Sequence, residues 1–248
     1  MNKIQIVVLA AGYGKRMKGI DLPKVLISFN GRPIIKYLLS AIKESGVCDK
    51  PVIVVGHKAE KVKEILGPDY TYVLQAERLG TGHAVAVCRD ELQGKADNIM
   101  VLYGDHPFVT SGMIRKLAET HLAENKILTM ATVRIPDFDG WRQSFQDFGR
   151  IARDAGSRVS RIVEKKDATP EELKIKEVNP SYFCFKSDWL WTNLDNIKND
   201  NVQGEYYLTD LTGIAFGQGE EIATVEIEPR EALGVNTEKQ LDSLRELV

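Results

Sequence analysis

Residues 4–12, with the sequence IQIVVLAAG, decide the fold of this chain. Ile4–Ala10 is a short aliphatic run rich in β-branched residues, and it is predicted to form a buried strand. Ala11 and Gly12 end the run, and residues this small favour a loop that a ligand can approach closely. The chain therefore opens with a buried strand that is followed at once by a glycine-containing loop.

The rest of the first half alternates strands with amphipathic helices. Further strands are predicted at Pro51–Val55, Thr71–Leu74, Asn98–Tyr103 and Ile127–Val133. The intervening helices are predicted at Pro33–Ser45, Ala59–Leu66, Gly82–Glu91 and Ser111–Glu124. This alternation indicates an α/β fold with a Rossmann-like, mostly parallel sheet flanked by helices. Ligands of such sheets bind beyond the carboxyl ends of the strands, so we expect a site in the loops after the first, third and fourth strands.

The second half of the sequence is less regular. Extended segments are predicted at Phe148–Asp154, Val159–Glu164, Glu177–Phe185 and Glu221–Glu226, and helices at Glu205–Gly217 and Thr237–Leu247. The sequence contains no low-complexity linker and no internal repeat. We therefore predict that residues 1–248 form a single domain, whose later part makes a wall or lid over the sheet.

The composition is that of an ordinary globular protein, and it limits the classes of partner. Apolar residues make up 43% and charged residues 27% of the 248 residues, and the formal net charge is −2. This charge gives no reason to expect nucleic acid or a membrane as partner. Cys48, Cys88 and Cys184 lie far apart, which argues against a disulfide framework or a cysteine zinc site and fits a cytoplasmic protein. No apolar stretch approaches the roughly 18 residues of a membrane helix, and the N-terminal run is too short for a signal peptide.

The loop after the first strand suits a triphosphate. It comprises Leu9, Ala10, Ala11, Gly12, Tyr13, Gly14, Lys15 and Arg16, and Lys24 follows it. Glycines let backbone N–H groups approach an anion, and Lys15, Arg16 and Lys24 add positive charge. A P-loop would need glycine in place of Leu9, and a dinucleotide fingerprint would need glycine in place of Met17. Taken alone, the loop is equally consistent with an ordinary turn that carries solvated basic residues.

Several motifs in a fixed order are more specific than this loop. They are L-A-A-G-x-G-x-R-M at 9–17, L-P-K-V-L at 22–26, Q-A-E-R-L-G-T-G-H-A at 75–84, Y-G-D at 103–105, F-G-R-I at 148–151, I-V-E-K-K-D at 162–167, Q-G-E-Y-Y-L-T-D at 203–210 and G-V-N at 234–236. Along nearly the whole chain they resemble the sugar-nucleotide pyrophosphorylases, and most closely the uridyltransferase domain of bacterial N-acetylglucosamine-1-phosphate uridyltransferase. The resemblance implies a nucleotide-diphospho-sugar transferase fold, with a smaller extended region that walls the sugar site. It also implies an enzyme that joins UTP to a sugar-1-phosphate, in the first place N-acetylglucosamine-1-phosphate, and releases pyrophosphate.

The resemblance further implies roles for particular residues. Arg16 and Lys24 are the implied catalytic residues, and Asp105 and Asn236 are the implied ligands of a Mg²⁺ cofactor. The implied nucleotide-binding residues are Leu9, Ala10, Ala11, Gly12, Gly14, Lys15, Gln75, Arg78, Gly80, Thr81 and Gly104. The implied sugar-binding residues are Tyr103, Gly149, Glu164, Asn179, Glu205 and Tyr206. The residue types suit these roles, because guanidinium and ammonium groups bind phosphate, hard oxygen ligands bind Mg²⁺, and an amide matches an adjacent donor and acceptor of uracil.

Two departures from the relatives bear on substrate choice. Arg78 stands where close relatives usually carry glutamine, and arginine cannot accept a hydrogen bond. Pro180-Ser181 stands beside the implied sugar site where the relatives typically carry Thr-Gly, and proline removes a backbone N–H. Another sugar-1-phosphate, such as glucose- or N-acetylgalactosamine-1-phosphate, or another base such as thymine, therefore stays open.

Other classes of function fit the sequence less well. A nucleotide-sugar binding module without catalysis would be expected to have lost charged residues, yet Arg16, Lys24 and Asp105 are present. There are no hexapeptide repeats of a left-handed β-helix, so we expect no acetyltransferase activity, and a homo-oligomer stays open. The histidines, which are His57, His83, His106 and His121, form no metal-ligand pattern and are expected to be structural.

Overall fold

The computed structural model describes residues 3–12, 22–235 and 237–245. Within these residues the strands are β1 (Ile4–Leu9), β2 (Ser28–Phe29), β3 (Arg32–Pro33), β4 (Val52–Val55), β5 (Thr71–Leu74), β6 (Asn98–Tyr103), β7 (Leu128–Arg134), β8 (Gly149–Arg153), β9 (Val159–Val163), β10 (Glu177–Asn179), β11 (Phe183–Lys186) and β12 (Ala223–Glu226). The helices are α1 (Ile34–Ser45), α2 (Ala59–Leu66), α3 (Thr81–Ala86), α4 (Arg89–Leu92), α5 (Ser111–Glu124), α6 (Ser187–Leu194), α7 (Asp210–Gly217) and α8 (Glu238–Arg245). Short 3₁₀ turns lie at Lys24–Leu26, Gly140–Asp147, Glu172–Lys174 and Pro229–Ala232.

β1 lies at the centre of the parallel half of the sheet. It pairs in parallel with β4 on one side and with β6 on the other, and β5 extends the sheet beyond β4. Leu9 lies opposite Tyr103, so the carboxyl ends of β1 and β6 finish level. The predicted α/β fold is confirmed, and the loops that follow β1, β5 and β6 leave the sheet at one edge.

The other half of the sheet is antiparallel and surrounds β7. The order across the sheet is β5-β4-β1-β6-β11-β7-β10-β8-β9, and β12 pairs in parallel with β7. β11 runs antiparallel to both β6 and β7, and β10 runs antiparallel to both β7 and β8. β8 and β9 form an antiparallel pair at the far edge. The implied sugar-binding residues from Gly149 to Asn179 belong to this antiparallel half.

The single strand predicted at Glu177–Phe185 is divided into β10 and β11 by a bulge. Val178 lies opposite Val133, whereas Phe183 lies opposite Met130. Five steps along this segment (178 to 183) therefore oppose three steps along β7 (133 to 130), which leaves two extra residues on the bulged strand.

The chemistry of Pro180 and Ser181 accounts for this bulge. Proline has no N–H to donate to a ladder, and Ser181 has a left-handed φ of 67°. Before the bulge, β10 pairs with β7 and β8. After the bulge, β11 pairs with β7 and β6. The bulge therefore sits where the two halves of the sheet meet.

Alternate residues of β1 face two separate apolar cores. Ile4, Ile6 and Val8 pack in one core with residues of α1 and α5. Val7 and Leu9 pack in the other with residues of α3 and α6. Because both faces of the strand are covered, five of its six residues are apolar and Gln5 is the exception, a composition typical of strands in parallel sheets. Helices cover the two faces, so the carboxyl edge of the sheet is the place for a ligand.

The helices differ from the sequence prediction in a few places. The helix predicted at Gly82–Glu91 is divided into α3 and α4, because the N–H of Cys88 bonds to the carbonyl of Val85 in a 3₁₀ contact. The helix predicted at Glu205–Gly217 begins only at Asp210. α6 follows β11 directly and is not predicted by the sequence. None of the described helices combines the length and apolar character that crossing a membrane requires.

Candidate active site

A cleft of about 450 Å³ opens where the parallel and antiparallel halves of the sheet meet. The residues implied by the resemblance that line it are Leu9, Ala11, Gly12, Lys24, Gln75, Arg78, Gly80, Thr81, Tyr103, Asp105, Gly149, Glu164, Asn179 and Glu205. The fold thus gathers side chains from very different parts of the sequence into one space. A cleft of this volume is large enough for a nucleotide-sized ligand.

Some implied residues do not line the cleft. Ala10, Gly104 and Tyr206 are absent from its lining within the described part of the chain. Gly104 serves packing instead: its N–H donates to the carbonyl of Leu9 at 3.0 Å, and an added Cβ would lie 3.2 Å from Cγ1 of Val25. The implied residues Gly14, Lys15, Arg16 and Asn236 lie outside the described residues.

The cleft also has lining residues to which the sequence assigns no role. They are Val25, Ala84, His106, Asp147, Phe148, Pro180 and Ser181. The sequence motif F-G-R-I at 148–151 could have indicated Phe148, because it also contains Gly149. Pro180 and Ser181 are the departure from the relatives, and the structure places both on the wall of the cleft.

Lys24 and Asp105 form an ion pair inside the cleft. The Lys24 ammonium donates to Oδ2 of Asp105, and the two side chains are 12% and 11% exposed. Burial favours the neutral acid at Asp105, but the charge of Lys24 and its hydrogen bond to the carboxyl group outweigh this effect and lower the pKa of Asp105. Asp105 is therefore held as a carboxylate that faces the cleft.

His106 is a buried neutral ring beside this pair. Its Nδ1 lies 2.6 Å from the Tyr182 hydroxyl, and that hydroxyl donates to the carbonyl of Glu231 at 3.0 Å. Because a hydroxyl has a single proton, Nδ1 of His106 must carry the proton of the first bond. Burial lowers the pKa of His106 even though Asp105 lies nearby. The expectation that His106 is structural agrees with these contacts.

A backbone bond ties the C-terminal segment to Asp105. The N–H of Val235 donates to the carbonyl oxygen of Asp105 at 3.0 Å. Gly234 packs against the ring of His106, and an added Cβ there would lie 2.5 Å from its Nε2. The residue before Asn236 is therefore attached to the loop that carries Asp105.

Gln75 is buried at the end of the cleft that follows β5. The residue is 5% exposed, and its Nε2 lies 3.0 Å from the carbonyl oxygen of Gly80 and 3.1 Å from Nδ1 of His83. Gly80 has a φ of 107°, and an added Cβ would lie 2.5 Å from the carbonyl oxygen of Tyr206. Only glycine fits this position, and its carbonyl is thereby fixed against Gln75.

Residues 201–208, here called the bridging segment, join the two ends of the cleft. At the Gln75 end, the Tyr206 N–H donates to the carbonyl of Leu79 at 2.7 Å, and the Gly82 N–H donates to the carbonyl of Tyr206 at 2.8 Å. The Leu208 N–H donates to Oγ1 of Thr81 at 3.0 Å. These bonds explain why the segment is not helical before Asp210, and Tyr206 contributes its backbone N–H and carbonyl groups to them.

The bridging segment is also attached to the other end of the cleft. The Val202 N–H donates to Oδ1 of Asp167 at 3.0 Å, and Nζ of Lys166 donates to Oε1 of Gln203 at 2.6 Å. Within the segment, Oδ1 of Asn201 accepts from the N–H groups of Gln203 and Glu205. The Asn201 side chain therefore sets the shape of the turn that carries Glu205 into the cleft.

Gly149 and Glu164 lie together at this second end. An added Cβ on Gly149 would lie 2.7 Å from Cγ2 of Ile162 and 3.4 Å from Oε1 of Glu164. Oε1 of Glu164 accepts a hydrogen bond from the Thr209 hydroxyl at 2.9 Å. Glu164 does not pair with the neighbouring Lys165, because Lys165 forms a salt bridge with Asp147.

The electrostatics of this end favour neutral ligand groups. Burial, followed by the charges of Asp210, Asp167 and Glu205, raises the pKa of Glu164. Burial, with the charge of Asp167, also raises the pKa of Asp210 to about 6. Hydroxyl groups can donate to such carboxylates, whereas an added anion would be repelled.

Asn179 faces the same end from β10 and is 2% exposed. Its Oδ1 accepts from the N–H of Ser181 at 2.9 Å, and its Nδ2 donates to the Ser181 hydroxyl at 3.2 Å. The bulge is therefore closed on itself, with Pro180 and Ser181 on the wall of the cleft. Asn179 retains one N–H and one lone pair for a ligand.

The donor set in the cleft fits one way of binding Mg²⁺. No group of three or more His, Cys, Asp or Glu side chains converges within the described residues, so a metal site made by the protein alone is not indicated there. Mg²⁺ at nucleotide sites is commonly held by one or two protein oxygen ligands together with substrate phosphates and water. The ionised, buried carboxylate of Asp105 fits that mode.

Comparison with known proteins gives a consistent result. The MobA-like NTP transferase domain matches residues 6–166. Bifunctional protein GlmU of Brevibacillus brevis is 42% identical over 242 residues, which cover 97% of this chain and 50% of that protein. Bifunctional protein GlmU of Caldanaerobacter subterraneus is 39% identical over 250 residues, which cover 100% of this chain and 52% of that protein. The chain therefore spans about half the length of the curated relatives it matches.

Solved structures share the fold at low sequence identity. A Bacillus anthracis protein assigned as glucose-1-phosphate thymidylyltransferase, in complex with sucrose, has a TM-score of 0.77 and 21% identity over 98% of this chain and 94% of that chain. CMP:2-keto-3-deoxy-manno-octonic acid synthetase, complexed with CTP, has a TM-score of 0.70 and 16% identity over 99% and 98% of the two chains. Both have the mixed sheet flanked by helices that is described above.

Proposed function

The chain belongs to the family of MobA-like NTP transferase domains, and from this premise we propose that it joins a sugar-1-phosphate to UTP and releases pyrophosphate. We propose N-acetylglucosamine-1-phosphate as the sugar substrate and UDP-N-acetylglucosamine as the product. The similarity to Bifunctional protein GlmU over 97% of this chain supports the reaction. The order of motifs from the glycine loop to Asn236 supports the choice of substrates.

One observation carries the proposal: an ion pair of Lys24 and Asp105 lies in a cleft whose two ends have different chemistry. One end presents a buried amide with neighbouring backbone groups, which suits a base. The other end presents Glu164 and Asn179, which suit the hydroxyl groups of a sugar. The charged centre lies where the phosphates of two such substrates would meet.

The proposed reaction is a direct displacement at the α-phosphorus of UTP. An oxygen of the sugar phosphate forms the new bond to phosphorus, and the bond to pyrophosphate breaks on the opposite side. Lys24 and Arg16 bind phosphate oxygens and bring two anions together, so positioning and charge neutralisation supply most of the rate enhancement. No covalent enzyme intermediate is required.

Asp105 and Asn236 are the proposed protein ligands of Mg²⁺. When bound, the metal would supply further charge neutralisation between the phosphates. Before substrates arrive, Lys24 neutralises Asp105, and this pairing keeps the buried carboxylate compensated.

The end of the cleft at Gln75 suits a uracil or thymine ring. Since Nε2 of Gln75 is engaged by Gly80 and His83, the group that Gln75 can offer to a base is its carbonyl oxygen, an acceptor for N3–H. The glycine at position 80 and the small residues Ala11 and Gly12 leave room for the ring. We propose UTP as the substrate, and dTTP is the alternative that shares the same N3–H.

The sugar end sets the preference among sugar-1-phosphates. Gly149 leaves backbone accessible to an N-acetyl group, Glu164 accepts from hydroxyls, and Asn179 can donate and accept. Pro180 and Ser181 form part of the wall here, so glucose- and N-acetylgalactosamine-1-phosphate are the competing substrates to be compared.

The test is pyrophosphate release with Mg²⁺, with UTP, dTTP, CTP, ATP and GTP crossed against these three sugar-1-phosphates. We expect the highest kcat/KM for UTP with N-acetylglucosamine-1-phosphate. A higher kcat/KM for another sugar-1-phosphate would support the proposed reaction but identify a different sugar substrate. The absence of turnover with every pair would contradict the proposed function.

A further inference from the structure

The orientation of the Gln75 amide is determined by two acceptors. The amide nitrogen has two protons, and it lies 3.0 Å from the Gly80 carbonyl oxygen and 3.1 Å from Nδ1 of His83. Turning the amide over would place Oε1 against the Gly80 carbonyl, where two acceptors would face each other. The nitrogen must therefore face Gly80, and the same nitrogen then donates to His83.

This donation fixes the state of His83. Because Nδ1 of His83 accepts a hydrogen bond, it carries no proton, and the proton of the neutral ring is on Nε2. His83 lies in the first turn of α3, and this helix begins directly after Gly80, whose carbonyl accepts the other proton of the amide. One short loop thus supplies both acceptors.

We infer that His83 is a positioning residue for base selection, which holds Gln75 so that an acceptor faces N3 of the pyrimidine. The inference rests on the proposed function, since it requires the base of the nucleotide to lie at Gln75. Uracil and thymine carry an N3–H and match this acceptor. Cytosine has an unprotonated N3, so two acceptors would face each other and CTP is disfavoured.

His83 matters because the Gly80 carbonyl alone leaves the amide less constrained. The terminal torsion of a glutamine side chain is broad and has no strong intrinsic preference. Without Nδ1 of His83, one amide proton loses its partner, and the Gly80 carbonyl alone then opposes rotations that present Nε2–H to the base, so these rotations cost less. That rotated amide would match N3 of cytosine. Loss of His83 should therefore lower discrimination between UTP and CTP more than it lowers turnover.

The test compares two substitutions of His83. His83→Phe keeps an aromatic ring and removes the acceptor, whereas His83→Asn keeps an acceptor near the position of Nδ1. His57→Phe is the matched control, because His57 is exposed and does not line the cleft. For each variant, kcat/KM is measured with UTP and with CTP, together with KM for the sugar phosphate.

We expect His83→Phe to reduce the UTP-to-CTP ratio of kcat/KM by about tenfold, mainly through a higher KM for UTP. His83→Asn should stay within about threefold of the wild type, and the sugar phosphate KM should change in neither variant. An unchanged ratio in His83→Phe, with wild-type protein active on UTP, overturns the inference and leaves the proposed function intact.

A second measurement covers the case in which His83→Phe does not fold or no nucleotide is turned over. Long-range ¹H–¹⁵N spectra of the wild-type protein report which ring nitrogen of each histidine carries a proton. A proton on Nε2 and none on Nδ1 of His83 is the expected result, and UTP should bind more tightly than CTP in calorimetry. A proton on Nδ1, or equal affinity for UTP and CTP, would overturn the inference. Inactive wild-type protein would count against the proposed function alone.

Discussion

At the scale of single residues, Asp105 combines burial with a retained charge. Its carboxylate is compensated by Lys24 and attached through its backbone to the segment that leads to Asn236. A buried ion pair in itself is weak evidence of stability, because desolvation offsets the attraction between the charges. The position of this pair in the cleft is the observation on which its proposed role in substrate binding rests.

Asp105→Asn removes the charge and keeps the size of the side chain. We predict that pyrophosphate release falls at least about 100-fold, because the proposed metal ligand and the partner of Lys24 are lost together. The measurement is the steady-state rate across a Mg²⁺ titration, with circular dichroism to verify folding. Asp195→Asn, which removes an exposed partner of Arg89 outside the cleft, is the control. Wild-type activity of a folded Asp105→Asn protein would rule out the proposed role.

Gly149 is constrained by packing. In Gly149→Ala the new Cβ would lie 2.7 Å from Cγ2 of Ile162, so the Ile162 side chain or one of the strands β8 and β9 must shift. We predict a loss of about 1–3 kcal/mol of unfolding free energy and a higher KM for the sugar phosphate, measured by urea denaturation and initial rates. Gly213→Ala is the matched control, since nothing lies within 4 Å of its Cβ and alanine favours the helix. Equal stability of the Gly149 variant and the wild type would contradict this packing argument.

Asp210 should make stability depend on pH. Its pKa is raised from 3.8 to about 6, so the folded state favours the protonated acid. The stability that protonation of Asp210 contributes to the folded state is complete below pH 3.8 and is lost as the pH rises through 6. Asp210→Asn should therefore raise the melting temperature relative to the wild type at pH 8, with the difference shrinking towards pH 4. Thermal denaturation at both pH values tests this. Asp188→Asn, in the first turn of α6, controls for the helix dipole. A difference of the same size at both pH values would contradict the assignment.

The sequence predicted which residues meet in the cleft better than it predicted their partners. Gln75 and Glu164 were implied by motifs and do line the cleft. Their hydrogen bonds to His83 and from Thr209 depend on how distant segments pack, which neither spacing nor residue type encodes. His83 was expected to be structural, and the positioning role inferred for it rests on the direction of one hydrogen bond.

At the scale of elements, the bridging segment connects the two ends of the cleft. Its backbone bonds to the loop of Leu79 and Gly82, while its other end bonds to Asp167. The sequence pattern wrongly extended the predicted helix Glu205–Gly217 into this segment. Backbone hydrogen bonds to a loop more than 100 positions away in sequence hold these residues out of the helix. Movement of this segment should therefore affect both substrates.

Asn201→Ala tests that coupling. The substitution removes the acceptor for two N–H groups and the donor to the carbonyl of Glu205. We predict that KM rises about threefold to tenfold for both substrates while kcat changes less. Val202→Ala, at a side chain that is 71% exposed on the same segment, should leave both KM values unchanged. A rise in KM for one substrate alone would show that the segment does not join the two ends.

The division of the predicted strand Glu177–Phe185 has a similar cause. Its apolar pattern correctly indicated extended structure on both sides of Pro180. The exchange of neighbours at the bulge could not be predicted from periodicity, because it depends on the order of strands in the sheet. The presence of Pro180 in a central segment was the one available signal.

At the scale of the whole molecule, the two halves of the sheet contribute different parts of the cleft. The parallel half supplies the loops after β1, β5 and β6, and the antiparallel half supplies Gly149, Glu164 and Asn179. Strand and helix alternation predicted the first half closely. The role of the irregular second half as a wall of the sugar site was predicted mainly from the resemblance, because strands of mixed pairing show little hydrophobic periodicity in sequence.

The central claim is that the chain transfers the α-phosphorus of UTP to a sugar-1-phosphate. The most direct measurement incubates the protein with N-acetylglucosamine-1-phosphate, Mg²⁺ and UTP labelled either at the α- or at the γ-phosphate, and then separates the products. We predict that the α-label appears in a nucleotide sugar and the γ-label in pyrophosphate, in equal amounts. Release of the γ-label as inorganic phosphate, or no α-label in a nucleotide sugar with any sugar-1-phosphate, would contradict the claim.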